Sequence, residues 1–333
     1  MDDKRIYDAY IAGRQSAALA AGVRIGLFDL LDSGPLSPGE VAARLGLAPR
    51  GVRQLTRALV AMGLLEREGD RLRLAADSSA YLVSGRPGWL GGLIDLEVES
   101  YLSPQMLLDA LQRNDASVYG EEDPWERHAR DPERARAFTR AMHSISERPA
   151  AALAEALDLE AVETLVDVGG GSGAVSIALA RRWPNLRCVV WDLENVCEAA
   201  REYAERAGLS TRIETLAGDF FVDPHPAGAQ AVLFSQILHD WSPERCRELL
   251  ERAFDALPPG GLVIVHEKLT GSHAPLANAL VDLDMLVWTE GQQWEAEGLR
   301  EMLESVGFDS VECRPTIGYW SAVTARRPAP RGG

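Results

Sequence analysis

The chain has little of what marks a membrane, secreted or nucleic-acid-binding protein. No apolar run reaches the roughly 18 residues that a spanning helix needs. Met1-Asp2-Asp3-Lys4-Arg5 has no apolar signal core behind it, so the expectation is a cytoplasmic protein with no membrane partner. Cysteine is scarce: Cys188, Cys197, Cys246 and Cys313 show no C-x-x-C pairing and no neighbouring histidines. That argues against a zinc site or a disulfide framework, and we expect reduced thiols and no metal. Basic residues are in deficit, 34 against 50 acidic, a net charge of −16, which argues against a surface for nucleic acid. There is no internal repeat, and the one biased tract is a Pro/Arg/Gly tail from Arg326. What remains is an ordinary globular composition, 46% hydrophobic and 25% charged, in 333 residues, enough for about two domains.

The most informative stretch is Leu165-Val166-Asp167-Val168-Gly169-Gly170-Gly171-Ser172-Gly173, followed by Ala174 to Ala180. An apolar run, an acid, four glycines and a helical pattern read as buried strand, tight turn and helix N-terminus. Glycines at such a turn let the backbone approach a ligand closely. A second apolar run, Leu186 to Trp191, ends in Asp192, about 20 residues further on, where open α/β sheets place the acid that binds ribose hydroxyls. The loop lacks the G-x-G-x-x-G spacing of a pyrophosphate site and has no lysine suited to a triphosphate. S-adenosylmethionine, a nucleoside without phosphate, suits it better, with Asp167 and the loop carbonyls as acceptors for its ammonium.

The first part of the chain is helical. Ser16 to Leu31 has helical spacing of Leu19, Val23, Leu27 and Leu30, broken by Ser33-Gly34-Pro35. Ser37-Pro38-Gly39-Glu40 then opens a short helix to Leu45, a longer helix runs from Pro49 to Gly63, and two β-segments flank Glu68-Gly69-Asp70, a hairpin turn. This is a winged helix-turn-helix pattern. One reading is a DNA reader with Arg50, Arg53 and Arg57 on the recognition helix; the other is a dimer-packing module, which the acidic charge and the second half of the chain favour. Between Asp77 and Asp158, Trp89, Tyr101, Tyr119, Trp125 and Phe138 are candidates to line a pocket. A helix from Pro132 to Arg148 places Phe138, Met142 and Ser146 as a pocket wall.

After Asp192 the α/β alternation continues. Gly218-Asp219-Phe220-Phe221 falls at a strand's C-terminal end, with Asp219 placed to accept from the adenine amino group and Phe220 to cover the ring. Strand Ala231 to Phe234 leads to Leu238-His239-Asp240-Trp241, and Ser242-Pro243 starts a helix. Methyl transfer from a sulfonium to a hydroxyl needs a base for the hydroxyl proton, and histidine titrates in the right range. His239 is the candidate base, with Glu267, at the end of strand Leu262 to His266, to orient it. His225 and His266 read as structural. Helix Leu299 to Leu303 and segments Val311 to Arg314 and Gly318 to Ala325 read as a closing helix and antiparallel hairpin.

On these motifs, together with Phe138-x-x-x-Met142 and Met285-x-x-x-Thr289-Glu290-Gly291, nearly the whole chain resembles the S-adenosylmethionine-dependent O-methyltransferases of the caffeate and acetylserotonin type and their bacterial natural-product relatives. The resemblance implies an α/β fold with a Rossmann-like, mostly parallel sheet and a C-terminal antiparallel hairpin, preceded by a mainly helical winged-helix dimerisation domain. It implies a homodimer and a metal-independent mechanism. The expected domains are 1–85 for dimerisation, 86–158 as helical linker and pocket wall, 159–327 for catalysis and 328–333 as a disordered tail. The expected catalytic set is His239, Glu267 and Asp240. The cofactor set is Asp167, Gly169, Gly171, Gly173, Asp192, Leu193, Gly218, Asp219, Phe220, Ser235 and Trp241. The acceptor set is Phe138, Met142, Ser146, Met285, Gln293 and Trp294. Where many relatives read Gly-x-Glu-Arg-Thr, this chain has Gly291-Gln292-Gln293-Trp294-Glu295, so the second acid beside the base is a neutral glutamine, and Trp294 is expected to narrow the acceptor pocket. The expected reaction is O-methylation of a small aromatic or polyketide-like metabolite. The alternatives are a C- or N-methyltransferase of the same fold and a winged-helix regulator that senses S-adenosylmethionine.

Overall fold

A computed structural model describes residues 2–97, 102–114, 116 and 132–329. Tyr101, Tyr119 and Trp125, considered above as pocket aromatics, lie outside the described residues. The chain divides into two compact units, residues 1–101 and 102–333.

The first unit comprises α1 (Lys4–Arg24), α2 (Leu27–Asp32), α3 (Pro38–Leu45), α4 (Pro49–Ala61), β1 (Leu65–Glu68), β2 (Arg71–Leu74), α5 (Ala76–Tyr81) and α6 (Gly91–Glu97). The spacing from Ser16 to Leu31 predicts one helix, but the structure has two. Gly26 adopts φ 69° and breaks the run, which turns Leu27, Phe28 and Leu31 into the core. Ser37 opens α3 with a reciprocal cap: its Oγ accepts from Glu40 N–H and Glu40 Oε2 accepts from Ser37 N–H. Helices α3 and α4 with the antiparallel β1–β2 pair form the winged helix, and Leu36 adds a bridge to Leu72. Leu27, Phe28, Leu59, Leu65 and Leu72 form its core, whereas Arg50, Arg53 and Arg57 are exposed.

The second unit comprises α7 (Pro104–Arg113), α8 (Pro132–Ala156), β3 (Thr164–Val168), α9 (Ala174–Arg182), β4 (Arg187–Asp192), α10 (Glu194–Arg206), β5 (Ile213–Ala217), β6 (Ala231–Ser235), a 3₁₀ turn (Leu238–Asp240), α11 (Pro243–Ala256), β7 (Leu262–Glu267), α12 (Leu276–Trp288), α13 (Ala296–Val306), β8 (Asp309–Pro315) and β9 (Ser321–Arg326). The sheet order is β5-β4-β3-β6-β7-β9-β8. The first five strands are parallel; β9 runs antiparallel to β7 and β8. Strand order reverses between β3 and β6, so the crevice at their C-terminal ends is where such a sheet binds ligands.

Alternation along the strands feeds two cores. Val232, Phe234, Val263 and Val265 face the layer of α11 and α13. Leu233, Leu262 and Ile264 face α8, α9 and α10. Burial on both faces explains the unbroken apolar runs read in the sequence. Helix α8 extends past the expected end at Arg148 to Ala156 and carries Pro149 inside. An interior proline costs about 3 kcal/mol. Ala150, Leu153 and Ala154, all buried in the second core, supply the offset, since a buried leucine alone is worth about 1.5–3 kcal/mol.

Candidate active site

The residues expected for catalysis and for the cofactor lie at or just beyond the C-terminal ends of β3, β4, β5, β6 and β7. The loop after β3 is left-handed at Gly169, Gly171 and Gly173, φ 63°, 57° and 72°. Asp192 ends β4 and is held by two backbone donors, Gly171 N–H to Oδ2 at 2.9 Å and Leu193 N–H to Oδ1 at 2.7 Å. Leu193 thus serves through its backbone, as the N-cap of α10. Each carboxylate oxygen retains a lone pair for a further donor. Burial, opposed by those two hydrogen bonds, lifts the Asp192 pKa to about 6.

Asp167 lies beneath the loop, 1% exposed. Its Oδ2 accepts from Ser176 Oγ–H at 2.7 Å, while Oδ1 is buried without a partner. Burial raises its pKa to about 7. An orphaned carboxylate oxygen beneath a glycine cradle, with a second carboxylate at the next strand end, matches a ligand bearing an ammonium and a ribose diol. This set of acceptors therefore fits S-adenosylmethionine.

At the end of β5, Gly218 packs so closely that a Cβ there would lie 2.9 Å from Trp191 Nε1. Asp219 is exposed; its Oδ1 accepts from Phe221 N–H at 2.8 Å. Phe220 packs edge-on to Trp191 and to Trp241, with ring centres 6.4 and 6.2 Å apart. Trp241 is buried and also meets Phe221 at 4.8 Å, so it backs the aromatic cluster. The Ser235 hydroxyl pairs with His266 Nδ1 at 3.3 Å. His266, buried and stacked on Trp320, has its pKa lowered to about 3 by that burial.

His239 sits in the 3₁₀ turn after β6. Its Nδ1 is 3.1 Å from Glu267 Oε2 and 2.9 Å from the Gln293 side-chain nitrogen; its Nε2 is 3.6 Å from Asp240 Oδ1. Glu267 is 1% exposed, and its Oε1 accepts from Ile237 N–H at 3.1 Å. Glu267 Oε2 is buried with the His239 Nδ1 facing it, and Gln293 Oε1 is buried without a hydrogen-bond partner. A proton on Nδ1 meets the carboxylate, and with the Gln293 amide turned over, its carbonyl oxygen faces the same N–H. That tautomer leaves the lone pair on Nε2. Burial opposes the imidazolium, but Glu267 and then Asp240 outweigh it, and the His239 pKa rises to about 9. Asp240 is raised to about 6 by burial, partly countered by His239.

Three features hold the turn, none of them evident from the sequence. Leu238 carbonyl accepts from Trp294 Nε1–H at 3.2 Å and from Cys246 Sγ–H at 3.0 Å. A Cβ on Gly291 would lie 2.1 Å from the His239 carbonyl oxygen, so only glycine fits that approach. Trp294, expected in the acceptor pocket, is 6% exposed in the core, and its indole braces the turn from behind. Met142 and Ser146 are half-buried on α8, as is Phe138; Ser146 Oγ accepts from Gln236 Nε2 at 3.4 Å. Met285 is half-buried on α12, whose Asp282 Oδ1 accepts from Gln293 N–H at 2.7 Å. Among the described residues, no group of His, Cys, Asp and Glu is arranged to hold a metal, and no helix is long and apolar enough to cross a membrane.

A Rossmann-like sheet with a glycine cradle, a ribose-type acid and a carboxylate-backed histidine defines a nucleoside-dependent group-transfer enzyme. Residues 105–309 match the O-methyltransferase domain and residues 9–84 the O-methyltransferase dimerisation domain. The chain is 37% identical, over 89% of its length and 87% of the relative's, to 3-hydroxy-5-methyl-1-naphthoate 3-O-methyltransferase of Streptomyces sahachiroi. It is 35% identical, over 95% and 94%, to N,N-dimethyltransferase OxyT of Streptomyces rimosus. Human N-acetylserotonin methyltransferase, solved in complex with S-adenosylmethionine, superposes with a TM-score of 0.88 at 28% identity, covering 98% of this chain and 97% of that one. The chain belongs to the O-methyltransferase family and is an S-adenosylmethionine-dependent methyltransferase.

Proposed function

We propose that this enzyme methylates a hydroxyl group of a small aromatic or polyketide-like metabolite, with His239 as the general base. The observation that carries the reading is the buried imidazole whose Nδ1 faces Glu267 at 3.1 Å, which directs the lone pair of Nε2 away from the carboxylate. Bound S-adenosylmethionine supplies a methyl group on a sulfonium, held by Asp167, Asp192 and the Gly169 to Gly173 loop. The chain's own residues align the acceptor and handle its proton. Nε2 of His239 takes the hydroxyl proton as the oxygen attacks, and Glu267 stabilises the resulting imidazolium. Gln293 fixes the ring by a hydrogen bond without adding charge. The buried surroundings exclude water from the proton transfer, and alignment supplies much of the rate. Phe138, Met142, Ser146 and Met285 are assigned to the acceptor wall.

The similarity to a naphthoate O-methyltransferase favours a fused aromatic phenol, and that to an N,N-dimethyltransferase makes an amine the second reading. Incubation of the enzyme with methyl-labelled S-adenosylmethionine and a panel of hydroxynaphthoates and aminonaphthoates separates them. Mass spectrometry should find the label on oxygen; label confined to nitrogen would overturn the assignment.

The match of residues 9–84 to a dimerisation domain supports a homodimer built through residues 1–85, with 86–158 as linker and pocket wall and 159–327 as the catalytic domain. Light scattering at micromolar concentration should give twice the 36.2 kDa chain mass, and a monomer would contradict it.

A further inference from the structure

Four of the five residues from Gly169 to Gly173 are glycine, and three of them are left-handed. Such a segment loses more backbone freedom on ordering than any other. It has one side chain by which to be held, that of Ser172. This hydroxyl is buried, and its Oγ lies 2.7 Å from Nδ1 of His143 on α8. The imidazole is fixed in turn: it stacks on Tyr203 of α10 at 3.7 Å between centres and 18° between planes, and its Nε2 is 4.0 Å from Glu147 Oε1. Burial, with smaller contributions from Arg206 and Arg181, lowers the His143 pKa to about 4, so the ring is neutral where the enzyme works. A neutral imidazole pairs with a hydroxyl in either tautomer.

Three residues on, and therefore on the same face of α8, Ser146 Oγ accepts from Gln236 Nε2. Gln236 joins β6 to the turn of His239. It adopts φ 57°, a strained value for a side-chain-bearing residue, and its N–H donates to His266 carbonyl at 3.1 Å. Helix α8 therefore reaches the cofactor loop at one position and the lead-in to the base at the next turn.

We propose that His143 is a positioning residue that fastens the glycine loop in its cofactor-binding shape through Ser172, making α8 a strut between that loop and the His239 turn. It does not touch the reacting atoms. The proposal rests on the reading of the loop as the S-adenosylmethionine cradle. A loop ordered in advance spares the ligand the entropy of ordering it, so the effect belongs in cofactor affinity.

Calorimetric titration of the whole chain with S-adenosylhomocysteine tests this as a double-mutant cycle. His143→Phe keeps a ring against Tyr203 and removes both nitrogens; Ser172→Ala removes the hydroxyl. Each should weaken binding about 3–10-fold, the scale of one hydrogen bond. The double variant should bind no more weakly than the weaker single one, and His143→Gln should retain most of the affinity. Should His143→Phe fail to fold, His143→Leu, which also removes both nitrogens, carries the same cycle with Ser172→Ala and their double variant. Losses that multiply in the double variant, or His143→Phe and Ser172→Ala variants that bind like the unsubstituted chain, overturn the proposal. Failure of the unsubstituted chain to bind S-adenosylhomocysteine overturns the cradle assignment itself.

Discussion

His239→Gln is expected to lower the methylation rate by about 10²–10⁴-fold, the usual contribution of a general base, with S-adenosylhomocysteine affinity essentially unchanged. Glutamine can still hydrogen-bond within the pocket but cannot take a proton, so chemistry and binding should separate. The loss should shrink for an acceptor whose hydroxyl ionises near the assay pH, because a preformed phenolate needs no base. Glu267→Gln should show the same pattern more mildly, since Glu267 acts on the acceptor only through the imidazole. Single-turnover rates beside calorimetric affinities decide the matter. Near-full turnover of His239→Gln across the pH range would remove His239 from the proton transfer.

Asp192→Ala is expected to weaken S-adenosylmethionine binding by about 1.5–3 kcal/mol, the range of charge-assisted hydrogen bonds, or roughly 10–150-fold. Two effects combine in that figure. The ribose acceptor is lost, and the N–H groups of Gly171 and Leu193 lose theirs, which loosens the loop. Asp192→Asn removes the charge yet keeps one acceptor oxygen for one of the two N–H groups, so its loss should be smaller than that of Asp192→Ala. The carboxylate must be ionised to accept fully, and its pKa lies at about 6. Affinity in the unsubstituted enzyme should therefore fall as the pH drops through that value, and this fall should be reduced in Asp192→Asn. Unchanged affinity in Asp192→Ala would remove Asp192 from the site.

The parts of the site that a sequence exposes are those whose chemistry is local. Asp167 with its glycines, Asp192 at the next strand end, and His239 after β6 each follow an apolar strand, and the parallel sheet brings strand ends together wherever such runs alternate with helices. Contacts between distant segments are another matter. The pairing of Gln293 with His239 spans 54 positions, and that of His143 with Ser172 spans 29. His143 follows Met142 directly, but the direction of a helical side chain relative to a loop depends on how the helix packs, which its own periodicity does not give. Trp294 was assigned to the pocket from its neighbours in sequence, yet its indole finds the Leu238 carbonyl inside the core. Local signals also gave way to tertiary packing at Pro149, which lies within α8 because the residues after it are buried. At Gly26 the opposite holds: one left-handed residue divides a run whose apolar spacing is continuous.

The pH dependence of kcat/KM in three enzymes compared side by side tests most directly whether His239, tuned by its two neighbours, is the base. This quantity reports the free enzyme, in which the His239 pKa stands at about 9. The neutral imidazole is the active form, so activity should rise with pH and level off near that value. Glu267→Gln removes the main charge that favours the imidazolium and should move the rising limb to lower pH. Gln293→Glu adds a carboxylate 2.9 Å from Nδ1 and should move it higher. The acceptor's own ionisation is common to all three, so the displacements report the enzyme. Limbs shifted in opposite directions by the two substitutions are the predicted result; three superimposable profiles would contradict it.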